Sequence, residues 1–208
     1  MSHYHLQEKA KVCAWESNSK ALTCFSECLD IRKSIDGPTP SKEIGDIHSQ
    51  MGDLYSEVGD DANASSSFSS AVSTYRQIFG TKHQTVAEAL QRMADHFVKV
   101  REFERGYSCV KEALALRQVL LGEEHIKTGD SQYCKGKILF MWNDYDEASR
   151  CFERARDIHK QLGPQNINVA NSNFYLGCIS GKFLPFVSIF VTQFTQFLLL
   201  LSRAKRRL

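Results

Sequence analysis

A register of 42 residues constrains this chain more than any other feature of its sequence. The fragments "DANASSSFSSAVSTYRQIFG", "FERGYSCVKEALALRQVLLG" and "YDEASRCFERARDIHKQLG" lie over one another. Ala64, Gly106 and Ala148 are 42 residues apart, as are Phe68, Val110 and Phe152, and Ala71, Ala113 and Ala155. A step of 43 back from the first set reaches Ala21, Phe25 and Cys28. Another set of columns precedes each of these, with Gly52, Ala94 and Gly136 at 42-residue intervals and Gly177 at 41. Tyr55, Phe97 and Leu139 follow the first three of them by three residues. Repetition on this scale limits the fold to arrays in which one supersecondary unit stacks on the next.

Within each unit, small, large and small residues fall at i, i+4 and i+7, which is one face of an α-helix. The small residue lets a neighbouring backbone approach, and the large one fills the groove beside it. Each unit therefore reads as two antiparallel helices, A and B. In the central unit helix A is expected at about 85–100 and helix B at about 103–121. Gly37, Gly80, Gly122 and Gly163 stand where the B helices should end, since glycine takes the positive φ that closes a last turn. A non-repeating helical bundle would not hold several columns in one register, and armadillo-type arrays lack this two-helix small/large rhythm.

These columns resemble the tetratricopeptide repeat. Gly52, Tyr55, Ala64, Phe68 and Ala71 fit its small and aromatic positions, as do Gly136, Tyr145, Ala148, Phe152 and Ala155. The ordinary unit has 34 residues; the longer one resembles kinesin light chain and its relatives, which carry Gly-x-x-His between units. "GTKH" (Gly80, His83) and "GEEH" (Gly122, His125) match that loop, whereas "GPTP" and "GPQN" depart from it. The resemblance implies an all-α, right-handed superhelical solenoid of antiparallel helix pairs. Its units would be an incomplete first one at 1–37, full ones at 38–80, 81–122 and 123–163, and a first helix alone at 164–181. It implies a non-enzymatic scaffold or adaptor without cofactors, which binds partner peptides in its concave groove.

Composition agrees with a binding protein of a reducing compartment. Twenty-six basic and 24 acidic side chains leave a net charge of +2, so no basic field for nucleic acid is present outside the last six residues. The N-terminal "MSHYHLQEKAKVCAW" lacks the apolar core of a secretory signal. Seven cysteines at irregular spacings suggest no disulfide framework, and a cytoplasmic location is expected. Cys24 and Cys28 have a spacing that could hold metal, but Cys28 continues the Ala71, Ala113 and Ala155 column, so a small packing residue is the better reading and no metal is expected. Gly129, Asp130 and Ser131 superficially suggest a hydrolase nucleophile but fall inside a helix A, with no partner placed by any motif. His83 and His125 read as residues that hydrogen-bond a connection.

In this architecture the A helices line the groove. The resemblance places there Asp46, Ser49, Asp53 and Ser56, then Glu88, Gln91, Asp95 and Val98, then Asp130, Tyr133, Lys137 and Phe140, and finally Asn171 and Phe174. Five carboxylates against one lysine argue against the family's carboxylate-clamp type, which holds a peptide C-terminus with Lys, Arg and Asn. The asparagine run of kinesin light chain is replaced by Ser49 and Gln50, Gln91 and Arg92, Tyr133 and Cys134, and Phe174 and Tyr175. The expected partner is a basic or mixed-charge peptide with apolar anchors near Tyr133, Phe140 and Phe174; the bland alternative is a solvated acidic face.

The pattern stops at residues 181–182. Beyond it, 183–201 carries no charge, and Arg203, Lys205, Arg206 and Arg207 follow. Three readings stay open. Phe183, Phe186, Phe190, Phe194, Phe197 and Leu201 form a stripe that could cap the solenoid. Nineteen uncharged residues also suffice to cross a hydrocarbon core of about 30 Å, which would make a tail-anchored adaptor on an intracellular membrane. Alternatively the segment stands outside the repeat design, since codons GGT-AAG-TTT for residues 181–183 would read as a splice donor and give a truncated or mis-spliced end. The chain would then be a fragment of a longer array, as its start, with only part of a helix A at about 5–15, also suggests.

Overall fold

The computed structural model describes residues 18–37, 39–163 and 166–181. Among them the helices run α1 (Asn18–Asp36), α2 (Lys42–Val58), α3 (Asp61–Phe79), α4 (Gln84–Lys99), α5 (Phe103–Leu121), α6 (Ile126–Met141), α7 (Tyr145–His159) and α8 (Ile167–Ile179). A 3₁₀ turn, Lys160–Leu162, extends α7. Each helix packs chiefly on its sequence neighbours, so the described chain is a one-dimensional stack. The A helices are α2, α4, α6 and α8; the B helices are α1, α3, α5 and α7.

The chain reverses at every 42nd residue by the same chemistry. Ser41, His83, His125 and Asn166 cap the A helices, each side chain accepting from a backbone N–H of the first turn. The two loop histidines thus act as N-caps through Nδ1, bonding Thr85 N–H at 3.2 Å and Lys127 N–H at 3.1 Å. Between helices A and B, the residue after the last turn is left-handed: Gly59, Arg101 and Asn143 have φ of 82°, 65° and 63°. Behind each, the next N–H reaches back to the carbonyl of Tyr55, Phe97 or Leu139 at 2.9–3.0 Å. The glycines expected to end the B helices, Gly37, Gly80, Gly122 and Gly163, all have positive φ.

Helix A meets helix B through a glycine set against an aromatic ring. A Cβ added to Gly52 would lie 2.8 Å from the Phe68 ring, and one added to Gly136 would lie 2.9 Å from that of Phe152. The central unit solves the same contact with smaller pieces on helix B and a methyl on helix A, pairing Ala94 with Val110, both fully buried in one cluster. There the close approach moves to Gly106, where a Cβ would sit 3.3 Å from that of Phe97. Between units, Ala71, Val72 and Tyr75 of α3 join Val86, Ala89 and Leu90 of α4 and Ala113 of α5. The cysteines behave as the packing columns require: Cys24, Cys28, Cys134, Cys151 and Cys178 are buried and Cys109 half-buried, all as free thiols. Burial raises the pKa of Cys28, Cys109, Cys134, Cys151 and Cys178, pushing Cys151 up to about 11.

Among the described residues no helix is long and apolar enough to cross a membrane. The tail at 182–208, with its cap, span and spliced-end readings, and the partial helix expected at 5–15 lie outside the described residues.

The glycine–ring contact yields a coupling test. Phe152 is fully buried, stacked on Tyr175 at 4.7 Å and met edge-on by Tyr133 at 5.7 Å, so its ring has nowhere to retreat. Gly136→Ala should cost about 1–3 kcal/mol. Combined with Phe152→Val, which recreates the pairing of Ala94 with Val110, the cost should fall short of the sum of the single changes by about 1 kcal/mol, as read by a denaturant double-mutant cycle.

Candidate functional site

Consecutive A helices, α2 with α4 and α4 with α6, pack more closely on one another than consecutive B helices do. The A layer is therefore the inside of the curve, and its open side is the groove. The structure places Ser49 and Ser56 buried in its floor, and Asp46, Asp53, Glu88, Gln91, Val98, Asp130, Tyr133, Lys137, Phe140 and Asn171 half-buried along it. Asp95 and Phe174 are exposed.

The five carboxylates do not stand as a bare acidic face, and the sequence-based count of one lysine against them needs correction. Other faces of the A helices bring cations to them. Arg92 reaches from α4 to Asp53 on α2 at 2.7 Å and to the Ser49 hydroxyl at 3.3 Å. Lys127 on α6 pairs with Glu88 on α4, which also accepts from Gln84 at 3.0 Å. Lys42 pairs with Asp46 at 2.7 Å. Asp95 accepts from Cys134 at 3.3 Å; burial, with the Asp95 carboxylate beside it, pushes the thiol up to about 12. Lys137 lies over the ring of Tyr133 at 5.5 Å.

Helix B supplies a column that sequence reading missed. Tyr75, Arg117 and His159 are also 42 residues apart, buried, and directed at the groove from beneath. Tyr75 donates its hydroxyl to Asp46 at 2.7 Å, and His159 Nε2 lies 2.9 Å from Asp130. Arg117 donates to Gln91 at 3.2 Å, to Ser131 at 2.8 Å and to the Lys127 carbonyl at 2.8 Å. These positions sit on an otherwise apolar face at the repeat interval, which is the signal that marks them. Ser131 donates its own hydroxyl hydrogen bond to Gln91 Oε1 at 2.9 Å, inside the same network.

Two hollows open between α2 and α4, on either side of the Arg92–Asp53 bridge. One of 210 Å³ is lined by Asp46, Tyr75, Glu88 and Arg92 among others. The other, of 350 Å³, is lined by Asp53, Phe68, His96 and Lys99 among others. Farther along, Tyr133, Phe140 and Tyr175 meet edge-on at 5.2–5.9 Å. The same columns thus change from polar to aromatic along the groove: Ser49, Gln91, Tyr133, Phe174 in one and Ser56, Val98, Phe140 in the other. Among the described residues no group of three or more His, Cys, Asp or Glu side chains is placed to hold a metal ion.

Burial separates the strong ties from the weak. Arg117→Ala removes three bonds inside the wall and should cost about 2–4 kcal/mol. Arg92→Ala breaks a half-exposed pair and should cost about 1 kcal/mol or less, a contrast that urea unfolding reads directly. His96 gives a pH dependence. Its ring is buried between Ser56 at 3.0 Å and Ser65 at 3.3 Å, and desolvation lowers its pKa. A depressed folded pKa means that the stability is whole above the unfolded value, about 6.5, and is lost as pH falls toward the folded one. The melting temperature should drop between pH 7.5 and 5.5, and His96→Asn should flatten much of that drop, His48 contributing the same sign.

Residues 86–161 match the family model of the tetratricopeptide repeat. Over 90 residues the chain is 28% identical to a clustered mitochondria protein homolog of Candida albicans, a match that covers 43% of this chain and 7% of that protein. The chain thus spans a small fraction of that relative's length. Among solved structures, BtubC (BKLC) from P. vanneervenii superposes with a TM-score of 0.73 at 22% identity, over 84% of this chain and 71% of that one. A Podospora anserina protein with nearly identical tetratricopeptide-like repeats, ascribed to the kinesin light chains, gives 0.71 at 14% identity, over 86% of this chain and 87% of that one. At such identities the likeness speaks for the fold. Columns, caps, helix order and these matches agree that the described chain folds as a solenoid of antiparallel helix pairs, with tetratricopeptide repeats matched over residues 86–161.

Proposed function

We propose that the chain is a non-enzymatic scaffold that holds an extended partner peptide in its concave groove, in the manner the kinesin-light-chain resemblance suggests for cargo. The supporting observation is the graded lining: the groove runs from ion-paired Asp46, Asp53 and Glu88 and the exposed Asp95 to the half-buried rings of Tyr133 and Phe140 beside Phe174. Half-buried rings gain most when a partner's apolar side chain covers their remaining surface. At Asp46, Asp53 and Glu88 the charged half offers carboxylates whose cationic partners are exposed and exchangeable, which suits a basic or mixed-charge sequence. Such a peptide would run with its charged part over α2 and α4 and its apolar anchors over α6 and α8. The binding residues in this reading are Asp46, Ser49, Asp53, Glu88, Gln91, Asp95, Asp130, Tyr133, Lys137, Phe140, Asn171 and Phe174. The site of action in this reading is the cytoplasm.

A display library of random peptides, selected against the full chain, tests this. Selected peptides should combine basic residues with a hydrophobic anchor, and Tyr133→Ala or Phe140→Ala should weaken them about tenfold or more. Selection of no peptide, or of peptides indifferent to both changes, would count against groove recognition.

A further inference from the structure

The hollow of 210 Å³ between α2 and α4 has two carboxylates on opposite walls, from equivalent positions of adjacent units. Asp46 stands on α2 and Glu88, 42 residues later, on α4. Each is fixed from one side, and on the other Glu88 is open while Asp46 holds only an exposed lysine. Tyr75, only 4% exposed, holds Oδ1 of Asp46, while Oδ2 carries the terminal amine of Lys42, one turn earlier on the same helix and largely in solvent. Gln84 and Lys127 both donate to Oε1 of Glu88; Oε2 has no hydrogen bond among the described residues. Burial opposes ionisation of Glu88, but the bonds from Lys127 and Gln84 outweigh it and hold the carboxyl below its usual range. Arg92, the cation that could fill the space, is held by Asp53 and Ser49.

We propose that this hollow receives the guanidinium of an arginine side chain from the bound peptide, which donates one N–H to Oε2 of Glu88 and another to Oδ2 of Asp46 in place of Lys42. The proposal rests on the groove reading above and names one subsite of it. The occupant follows from charge and shape. Lys42 and Arg92 also line the hollow, but Arg92 is committed to Asp53 and Lys42 to the oxygen the ligand would take, so an anion would meet two carboxylates and a neutral amide would leave the open Glu88 oxygen a weaker bond. Lysine is a point charge on a flexible stem, whereas guanidinium presents five donors in a plane and can serve two walls at once. Exchange is easy because an exposed pair one helical turn apart holds Lys42 only weakly. Tyr75 keeps Asp46 aimed into the space after Lys42 leaves, so the subsite is preformed.

The full ¹⁵N-labelled chain titrated with N-acetyl-arginine N-methylamide tests the subsite without a peptide. Saturable shifts are expected at the amides of Asp46, Glu88 and Ala89, with none from the citrulline analogue, which has the same shape without charge. Glu88→Gln, and separately Asp46→Asn, should each weaken binding by about tenfold; two variants with unchanged melting curves guard against misfolding. Shifts elsewhere, equal shifts with citrulline, or indifference to both variants would overturn the proposal. Library peptides separate it from the groove reading. If they bind through Tyr133 yet lose nothing when each arginine becomes citrulline, the subsite falls and the groove stands. If the arginine probe binds and no peptide does, the groove reading falls alone.

Discussion

A phenylalanine ring lying flat against a glycine backbone sets the distance between the two helices of a unit, and much else follows from that distance. Gly52 receives Phe68 and Gly136 receives Phe152 with less space than any Cβ would occupy. Once A and B are that close, the residues on either side are confined to one pairing, and the same small/large alternation must recur wherever the next unit stacks. The central unit shows that distance matters more than residue identity. Ala94 with Val110 fills the same contact, and the glycine moves to Gly106. The pair itself is smaller there, and the approach of Phe97 to Gly106 makes up part of the contact.

This close packing has a consequence for the groove. Side chains that a ligand would meet are also the ones that tie unit to unit. Arg92 spans α2 and α4; Lys127 and the Arg117 cluster span α4 and α6. The exposed members of this set contribute little to stability, because water competes for them. The buried members contribute more, because their loss leaves orphaned partners. Recognition can therefore draw on the exposed ties, trading an internal ion pair for an intermolecular one, while Arg117 and Tyr75 keep the wall in register. A groove built this way is densely charged with most of its carboxylates already partnered, which favours selectivity over raw affinity.

What the sequence made legible was whatever the repeat enforces on every unit. Helix B of the central unit is found at Phe103–Leu121, where its alanine and valine columns put it, and helix A at Gln84–Lys99, one residue from the expected span. Glycine ends of the B helices were readable because positive φ there favours one residue type. The turns between A and B were not, because Arg101 and Asn143 take the left-handed conformation that Gly59 takes freely, at a cost the surrounding capping bonds absorb. Groove positions could be carried over by register, since they are a matter of helix phase. Their charge state could not. Arg92 and Lys127 lie off the inward column and reach it only through long flexible side chains, which phase alone does not track.

The column of Tyr75, Arg117 and His159 marks the limit of reading by period. Its backbone place is constant and its chemistry is not, so each unit presents its groove carboxylate differently. Tyr75 supports Asp46 with a neutral donor that burial keeps protonated. Arg117 bypasses Glu88 for Gln91 and Ser131, which leaves Glu88 to Lys127. His159 meets Asp130 with an imidazole whose other nitrogen is buried with no hydrogen-bond partner among the described residues. Three identical scaffolding positions thus give three unlike subsites in fixed order along the stack. An extended peptide laid across them meets a sequence of environments that cannot be reversed without mismatch. In the proposed reading, the direction of a bound peptide would therefore be set in part from beneath the groove, by helix B, as well as by the side chains that touch it.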